Sequence, residues 1–589
     1  TYKLVYGSYQ QFHPTMIDDM SKTISLCTAR GMNASFQLLV CKDTPWALNV
    51  GTVPHLSQKG ALPTLRVAAP AGVSLHIEDM HVCDDGYFRA DALLEDEVTE
   101  QTANYTRAIF CEVEIPADAP AGKQTVTLSL FERAMFEDEV KVGEVTAEIE
   151  VFPVVMHAPA ENKFHLDLWQ HLSNIARKHE VKLWSDAHFA VLEPYVKSLA
   201  DLGQKAVTLV VTEAPWGGQS CFREYRMAAN LFEYSIIPLS KTKEGELVAD
   251  FGPMQRYIDL CAKHGIKDEI SLYGLMNVWC VEEEGFGRLA ADDPDALHVR
   301  YLDEADGAYK YLRTEEELET YIRLLADYFK KTEQIDRVRV AADEPADVQK
   351  YRASMERLLR VEPAFRCKAA INHSEFIEEF GEEIYDFVPY SGHLFTHLAL
   401  LQKYRDTMPG KRFLWYVCCC PHWPNTFLRS NLCETLFIGA FTSWARMQGF
   451  LRWNYTVWND DPRKDIRYGD FLAGDTNFVY PSPSGKPLLT LRYKAMKKAI
   501  QLYELLEKVR EYKGDETADK LIFAVLKNTE TEKYYTGGHD LGDVVSLNWG
   551  DYEGMLREAL HILAEAQKMG GEVAFVDAEH ALDPVYAAA

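Results

Sequence analysis

Eight apolar segments, each followed by a stretch that reads as amphipathic helix, constrain this chain more than any other feature. They are FHLDLWQ (164–170), AVTLVVT (206–212), EISLYGLM (269–276), RVRVAADE (337–344), RCKAAIN (366–372), DFVPYS (386–391), RFLWYVCC (412–419) and GFLRWNYTVW (449–458). Strands this apolar need cover on both faces, which a parallel sheet flanked by helices provides. Eight repeats is the count of a closed (β/α)8, or TIM, barrel; a doubly wound open sheet is the alternative topology. The helices carry their own signals, with Ser185 as a cap before DAHFAVLEPYVKSLADLG and Thr314 followed by acidic residues at the favourable end of the dipole.

Upstream the periodicity changes. Segments ASFQLLVCK from Ala34, VSLHIEDMHV from Val73, RAIFCEVEI from Arg107, QTVTLSLFE from Gln124 and EVTAEIEVF from Glu144 are strand-like, two of them strictly alternating, with turn signals between and no helix among them. This predicts an antiparallel β-sandwich over residues 1–155, a catalytic barrel over 156–510, and a mainly helical extension over 511–589 whose role the sequence does not indicate. The extension includes YEGMLREALHILAEAQK from Tyr552.

A net charge of −27 would repel phosphate backbones and anionic lipid, so neither nucleic acid nor a membrane surface is an expected partner; the same charge also serves plain solubility. No stretch reaches the ~18–20 apolar residues that span a bilayer. Twelve cysteines in 589 residues read as buried free thiols, and the consecutive Cys418, Cys419 and Cys420 would alternate faces on a strand, a poor disulfide framework. Cytoplasmic location is the expectation, with a secretory leader already trimmed before Thr1 as the alternative.

In (β/α)8 enzymes the site lies at the C-terminal strand ends. Here those ends hold Asp167, Trp169, Gln170 and His171; Thr212, Glu213 and Trp216; Asn277 and Trp279; Asp343 and Glu344; Asn372 and His373; Tyr390; Trp415, Tyr416, His422 and Trp423; and Tyr455, Trp458 and Asn459. Aromatic faces pack on pyranose C–H groups while Asn, Asp and His serve hydroxyls and amides, so the set suits a sugar. One such Trp or Tyr is more often core; recurrence at one end of the strands is the argument.

Within RVRVAADEP, two carboxylates end an apolar strand and a proline stops it. Burying both is costly unless the site neutralises one or uses both. The bland alternative makes Asp343 a cap of the helix in PADVQKYRASMERLL and leaves Glu344 in solvent. A two-carboxylate retaining glycosidase places its groups about 5–5.5 Å apart across the scissile bond, usually from separate strands. Adjacent carboxylates suit substrate-assisted hydrolysis better: the sugar's 2-acetamido oxygen attacks, Glu344 is acid/base, and Asp343 holds the amide N–H.

With these residues in place, the sequence resembles glycoside hydrolase family 123, the β-N-acetylgalactosaminidases, over residues 1–510. The likeness rests on ADEP at Ala342–Pro345, on the domain order, and on the aromatic ends FLWYVCC and RWNYTVWND. It implies release of terminal β-linked N-acetylgalactosamine, typified by glycosphingolipid oligosaccharides, with retention and without a cofactor. The family's Asp–Glu pair falls on Asp343 and Glu344. Tyr390 and Tyr416 are equal candidates for the acetamido oxygen, Trp216 and Trp458 for pocket walls, and Asp167, Asn372 and Asn459 for polar contacts.

A GxGxxA match at Gly285, Gly287 and Ala290 follows three glutamates that would repel a pyrophosphate. His393 and His397, and Cys420 with His422, find no further ligand at zinc-site spacing, so no metal is expected. Two rivals remain: a two-carboxylate glycosidase with Glu213 or Asp460 as nucleophile, acting on sugars without an acetamido group, and a non-catalytic glycan-binding barrel.

Overall fold

The computed structural model describes residues 2–5, 22–52, 62–134, 137–216, 232–279, 297–468, 471–535 and 540–568. The GxGxxA segment and the last 21 residues lie outside them. The N-terminal region holds β1 (Tyr2–Val5), β2 (Thr23–Arg30), β3 (Ala34–Val40), β4 (Trp46–Asn49), β5 (Thr64–Ala68), β6 (Val73–Val82), β7 (Phe88–Leu93), β8 (Val98–Gln101), β9 (Arg107–Val113), β10 (Gly122–Arg133) and β11 (Val140–Val155). They form two sheets, β1-β3-β9-β6-β7 and β2-β11-β10-β5-β4-β8. Alternate residues of both meet in a core that includes Phe36, Leu38, Trp46, Leu48, Ile77, Ile109, Leu128, Leu130 and Ile149, the pattern that period-2 strands produce. The expectation of a purely antiparallel sandwich needs correcting: β2 pairs with β11, and β4 with β5, in parallel. β2 and β11 are far apart in sequence and residues 50–63 separate β4 from β5, connections long enough for a parallel return that a tight hairpin forbids.

The eight apolar segments form a second, parallel sheet: β12 (His165–Leu168), β13 (Ala206–Val210), β16 (Glu269–Tyr273), β19 (Val338–Asp343), β20 (Arg366–Ile371), β21 (Asp386–Pro389), β22 (Arg412–Tyr416) and β23 (Gly449–Arg452). Their order, β12-β23-β22-β21-β20-β19-β16-β13, follows the chain without the reversal of a doubly wound sheet. The two end strands come together at a parallel bridge between Leu166 and Gln204. There side chains extend the ladder: the Gln204 amide exchanges hydrogen bonds with the backbone of Leu168 at 2.9 and 3.1 Å, the Thr208 N–H donates to Gln170 Oε1 at 2.9 Å, and the Gln170 N–H donates to the Thr208 hydroxyl at 3.1 Å. The sheet is a nearly closed barrel.

Each barrel strand stops two to six residues before its apolar segment does or one residue short of the expected end, releasing the polar residues into the loops at the mouth. Between strands run helices such as Asp186–Leu202, capped by Ser185 and ended by left-handed Gly203, and Glu315–Lys331, opened by a Thr314/Glu317 capping box. The loops after β13 and β16 contribute a four-stranded sheet of β14 (Leu239–Lys241), β15 (Leu247–Ala249), β17 (Arg300–Asp303) and β18 (Ala308–Tyr311), in the order β15-β14-β17-β18.

Sandwich and barrel share buried contacts. Arg492, on the helix Leu491–Lys513, donates to both oxygens of Asp91 on β7 at 2.9 and 2.8 Å, where Tyr480 adds a third bond at 2.9 Å. The helix Trp549–Lys568 lies against β2 and β11, its His561 edge-on to Phe152 and Arg557 paired with Glu150.

Candidate active site

Inward-facing residues of the barrel sort by depth. At the base and middle, Lys368 bridges Asp167 at 2.5 Å and Glu269 at 2.7 Å, Arg412 reaches Glu269 at 3.0 Å and Asp386 at 2.8 Å, and Arg339 meets Asp386 at 2.9 Å. Buried charges persist when paired and hydrogen-bonded, as these are. Asp167 is fully buried within this network, one level below the mouth, and burial raises its pKa to about 6 against the pull of Lys368. Trp169, one residue past the end of β12, belongs to the next level up.

That upper level is an aromatic cup containing Trp169, Trp216, Tyr273 and Tyr416, with Trp279, Tyr390 and Trp453 against it. Trp169 and Trp216 stack with centroids 5.5 Å apart, and Tyr273 packs on Trp169 at 4.6 Å. His171 lies 5.3 Å from Trp216 and 6.3 Å from Trp453 by ring centroid, 1% exposed, with neither ring nitrogen hydrogen-bonded among the described residues. Burial lowers its pKa to about 3, so the imidazole is neutral and offers one donor and one acceptor.

Asp343 and Glu344 open into this cup. Asp343 ends β19 and shares the inward parity of Ala341. A continued strand would turn Glu344 outward, but its φ of +49° breaks the alternation, and its carboxylate accepts from the Tyr416 hydroxyl at 2.7 Å. Asn277 Nδ2 and Trp279 Nε1 donate to the Asp343 carbonyl at 2.5 and 3.2 Å. Ala214 and Asn277, beyond the ends of β13 and β16, are also left-handed, with φ of +46° and +47°. At about 1–2 kcal/mol each, three such residues side by side on one rim mark a place where the backbone is held against its preference.

Burial and then repulsion from Glu344 drive the Asp343 pKa well above the ordinary carboxylate range, opposed by hydrogen bonding from Trp279 and Trp216. Burial also raises that of Glu344, and the bond from Tyr416 pulls it back. Both carboxyls are thus pushed toward the protonated form, Asp343 the more strongly, because burial and their mutual repulsion disfavour two neighbouring charges. The capping alternative fails, since the cap of the helix Val348–Val361 is Asp347, which accepts from the Lys350 N–H.

Other expected site residues separate. Trp216 and Tyr416 line the cup; Tyr390 borders it, 6.0 Å from Tyr416 by ring centroid. Asn372 follows β20 with its side-chain Oδ1 buried and unbonded among the described residues, its carbonyl accepting from His393 at 2.7 Å. Trp458 is a correction: it lies six residues past the end of β23, in the hydrophobic core, its indole N–H on the Val479 carbonyl at 2.9 Å and its ring against Tyr195. Asn459 ties its own loop through Asp465 at 2.6 Å. Trp453, directly after β23, takes the place expected for Trp458. Of the rival nucleophiles, Glu213 is engaged by Arg300 at 2.7 Å and Tyr311 at 3.1 Å, and Asp460 is exposed. Trp169, His171, Tyr273, Asn277 and Trp279 complete the arrangement; position after a strand end marked four of them, but nothing in the sequence ranked them above their neighbours.

Comparison with known proteins bears on the same region. The family model for the glycoside hydrolase 123 catalytic domain matches residues 169–509. A family 123 glycoside hydrolase from Clostridium perfringens, studied for glycolipid glycan hydrolysis, superposes with a TM-score of 0.72 at 15% identity, covering 97% of this chain and 98% of that one. Residues 532–589 match the RecA N-terminal domain, and the RecA proteins of Ruminococcus albus and Oceanobacillus iheyensis are 57% identical over 51 and 53 residues. That stretch is 9% of this chain and spans 13% and 15% of those two proteins. The catalytic-domain match takes in more than half the chain, including the cup and both of its carboxylates, and on that ground the chain belongs to glycoside hydrolase family 123.

Proposed function

We propose that this glycoside hydrolase is a retaining exo-enzyme releasing terminal β-linked N-acetylgalactosamine from glycosphingolipid-type oligosaccharides, with the substrate's own acetamido group as nucleophile. The observation that carries the reading is the adjacency of Asp343 and Glu344 on one strand end, both turned into an aromatic cup. In this scheme the pyranose packs on the Trp169–Trp216 stack. Protonated Glu344 gives its proton to the departing glycosidic oxygen while the acetamido carbonyl closes on the anomeric carbon. Asp343 accepts the amide N–H and offsets the charge of the resulting oxazolinium. Glu344, now a carboxylate, takes a proton from the water that opens the ring from the opposite side, and two inversions give retention. Tyr416 is occupied with Glu344, which leaves Tyr390 as the phenol for the acetamido oxygen. Asn372 and His171 are the hydroxyl partners. The reading also takes the barrel as a closed (β/α)8 unit over 156–510 beside a sandwich over 1–155.

The test is hydrolysis of aryl β-N-acetylgalactosaminide, β-N-acetylglucosaminide and plain β-galactoside by wild type, Asp343→Asn and Glu344→Gln. Turnover confined to the N-acetylgalactosaminide and lost in both variants is the expected result. Equal turnover of the plain galactoside, or full activity without Asp343, refutes acetamido assistance.

A further inference from the structure

The turn after β22 carries a cluster of side chains that the hydrolytic scheme leaves unused. Cys418, Cys419 and Cys420 are free thiols whose sulfur atoms all lie within 4.8 Å of one another. On a strand, Cys419 would face away from its neighbours. But β22 ends at Tyr416, and the chain folds back so that the Cys418 N–H donates to the Cys420 carbonyl at 3.1 Å. Asn425 holds the turn, donating to the carbonyls of Cys418 at 3.0 Å and Pro421 at 2.7 Å. Arg452 in turn fixes Asn425 at 2.7 Å while paired with Asp475 at 2.7 Å. All three supporting residues are buried, whereas Cys419 and Cys420 are exposed. The thiols are thus pre-assembled on a rigid base and open to solvent.

Thiolate zinc sites have metal–sulfur bonds of about 2.3 Å, which places tetrahedral sulfurs about 3.8 Å apart. The cluster needs a closure of only about 1 Å to reach that spacing, within the reach of side-chain rotation. Three sulfurs without carboxylate favour soft or borderline d10 cations over magnesium or calcium. We propose that Cys418, Cys419 and Cys420 form a three-thiolate site for a zinc-class d10 cation on the rim of the cup, and that its filling slows hydrolysis. Each sulfur loses its proton to solvent as its bond to the metal forms, five of the six waters of the aqueous ion leave, and the sixth keeps the fourth position; no electron is transferred. A divalent ion with three thiolates carries a net charge of −1. Cys418 is two residues from Tyr416, whose hydroxyl holds Glu344, and it packs with Tyr390 against the cup. Closing the sulfurs on a metal therefore moves the segment that positions the acid. The slowing rests on the hydrolytic reading above; the binding does not.

The test uses the full chain, reduced and stripped of metal, titrated with Zn2+ and Cd2+ by calorimetry and by sulfur-to-cadmium charge-transfer absorption. One equivalent of binding with an absorption of three thiolates is expected, together with a fall in turnover as the site fills. Cys419→Ser and Cys420→Ser, which alter exposed positions, should fold as wild type by melting, keep basal turnover, and weaken binding by at least the ~10–100-fold that loss of an outer partner causes. Absence of stoichiometric binding, or binding unchanged in both variants, overturns the site. Reversible air oxidation that removes two of the three thiols before metal binds also overturns it, in favour of a redox pair. Full binding with unchanged turnover overturns the coupling to hydrolysis, and because binding is read without substrate, that outcome is distinct from failure of the proposed reaction.

Discussion

Glu344 sits in a left-handed backbone conformation and takes a hydrogen bond from Tyr416, so its proton affinity is set by burial on one side and that phenol on the other. Tyr416→Phe removes the larger of the two influences, with His373 the other, that hold the Glu344 pKa down. The protonated acid then persists to higher pH, and the alkaline limb of the kcat/KM profile moves upward. The lost bond, worth about 1.5–3 kcal/mol to a charged partner, should cost about 10- to 100-fold in kcat, measured by steady-state kinetics across pH. At this scale the sequence was readable for the carboxylates because charge at the end of an apolar strand has few innocent explanations. It was less readable for their neighbours. Asp167 within β12 and Trp169 just past its end differ in depth, and no periodicity records where the barrel's packed interior gives way to its mouth. For Trp458 the aromatic-rich stretch RWNYTVW concealed the end of β23 at Arg452, after which the chain turns into the core.

Barrel strands were legible as elements because each is a short apolar run, and all eight lie where the periodicity puts them. The short strands β4, β5 and β8 and the sheet of β14, β15, β17 and β18 were not, because a few mixed residues show no period, whereas barrel strands of the same length sit within longer apolar segments. Within the barrel, β12, β16, β20, β21 and β22 are joined by the ion network around Lys368 as well as by their ladders. Lys368 is kept charged by Asp167 and Glu269 despite complete burial, which by itself lowers its pKa. Lys368→Met leaves Asp167 without its cation and Glu269 with Arg412 alone, and should lower unfolding free energy by about 3–5 kcal/mol, read from urea midpoints at constant slope. An Asp167→Asn change made in addition should recover part of the loss; a double variant no better than the single would place the cost in packing instead.

For the whole molecule, the sandwich and barrel are joined through Asp91, Arg492 and Tyr480 and through the main-chain bridge between Ala92 and Thr490. Residues 156–589 expressed alone should be insoluble or inactive, because Arg492 would keep its burial among Thr426, Gly474 and Asn477 carbonyls and lose its carboxylate. A soluble, active barrel would refute this dependence. The helix Trp549–Lys568 has a further consequence. It covers strands β2 and β11, the second of which is completed roughly 400 residues earlier. At bacterial or eukaryotic elongation rates of about 5–20 residues per second, that face waits some ~20–80 s on the ribosome before its cover emerges. The sandwich, though synthesised ahead of the barrel, is thus finished after it, and its uncovered sheet is the surface that a nascent-chain chaperone would have to guard.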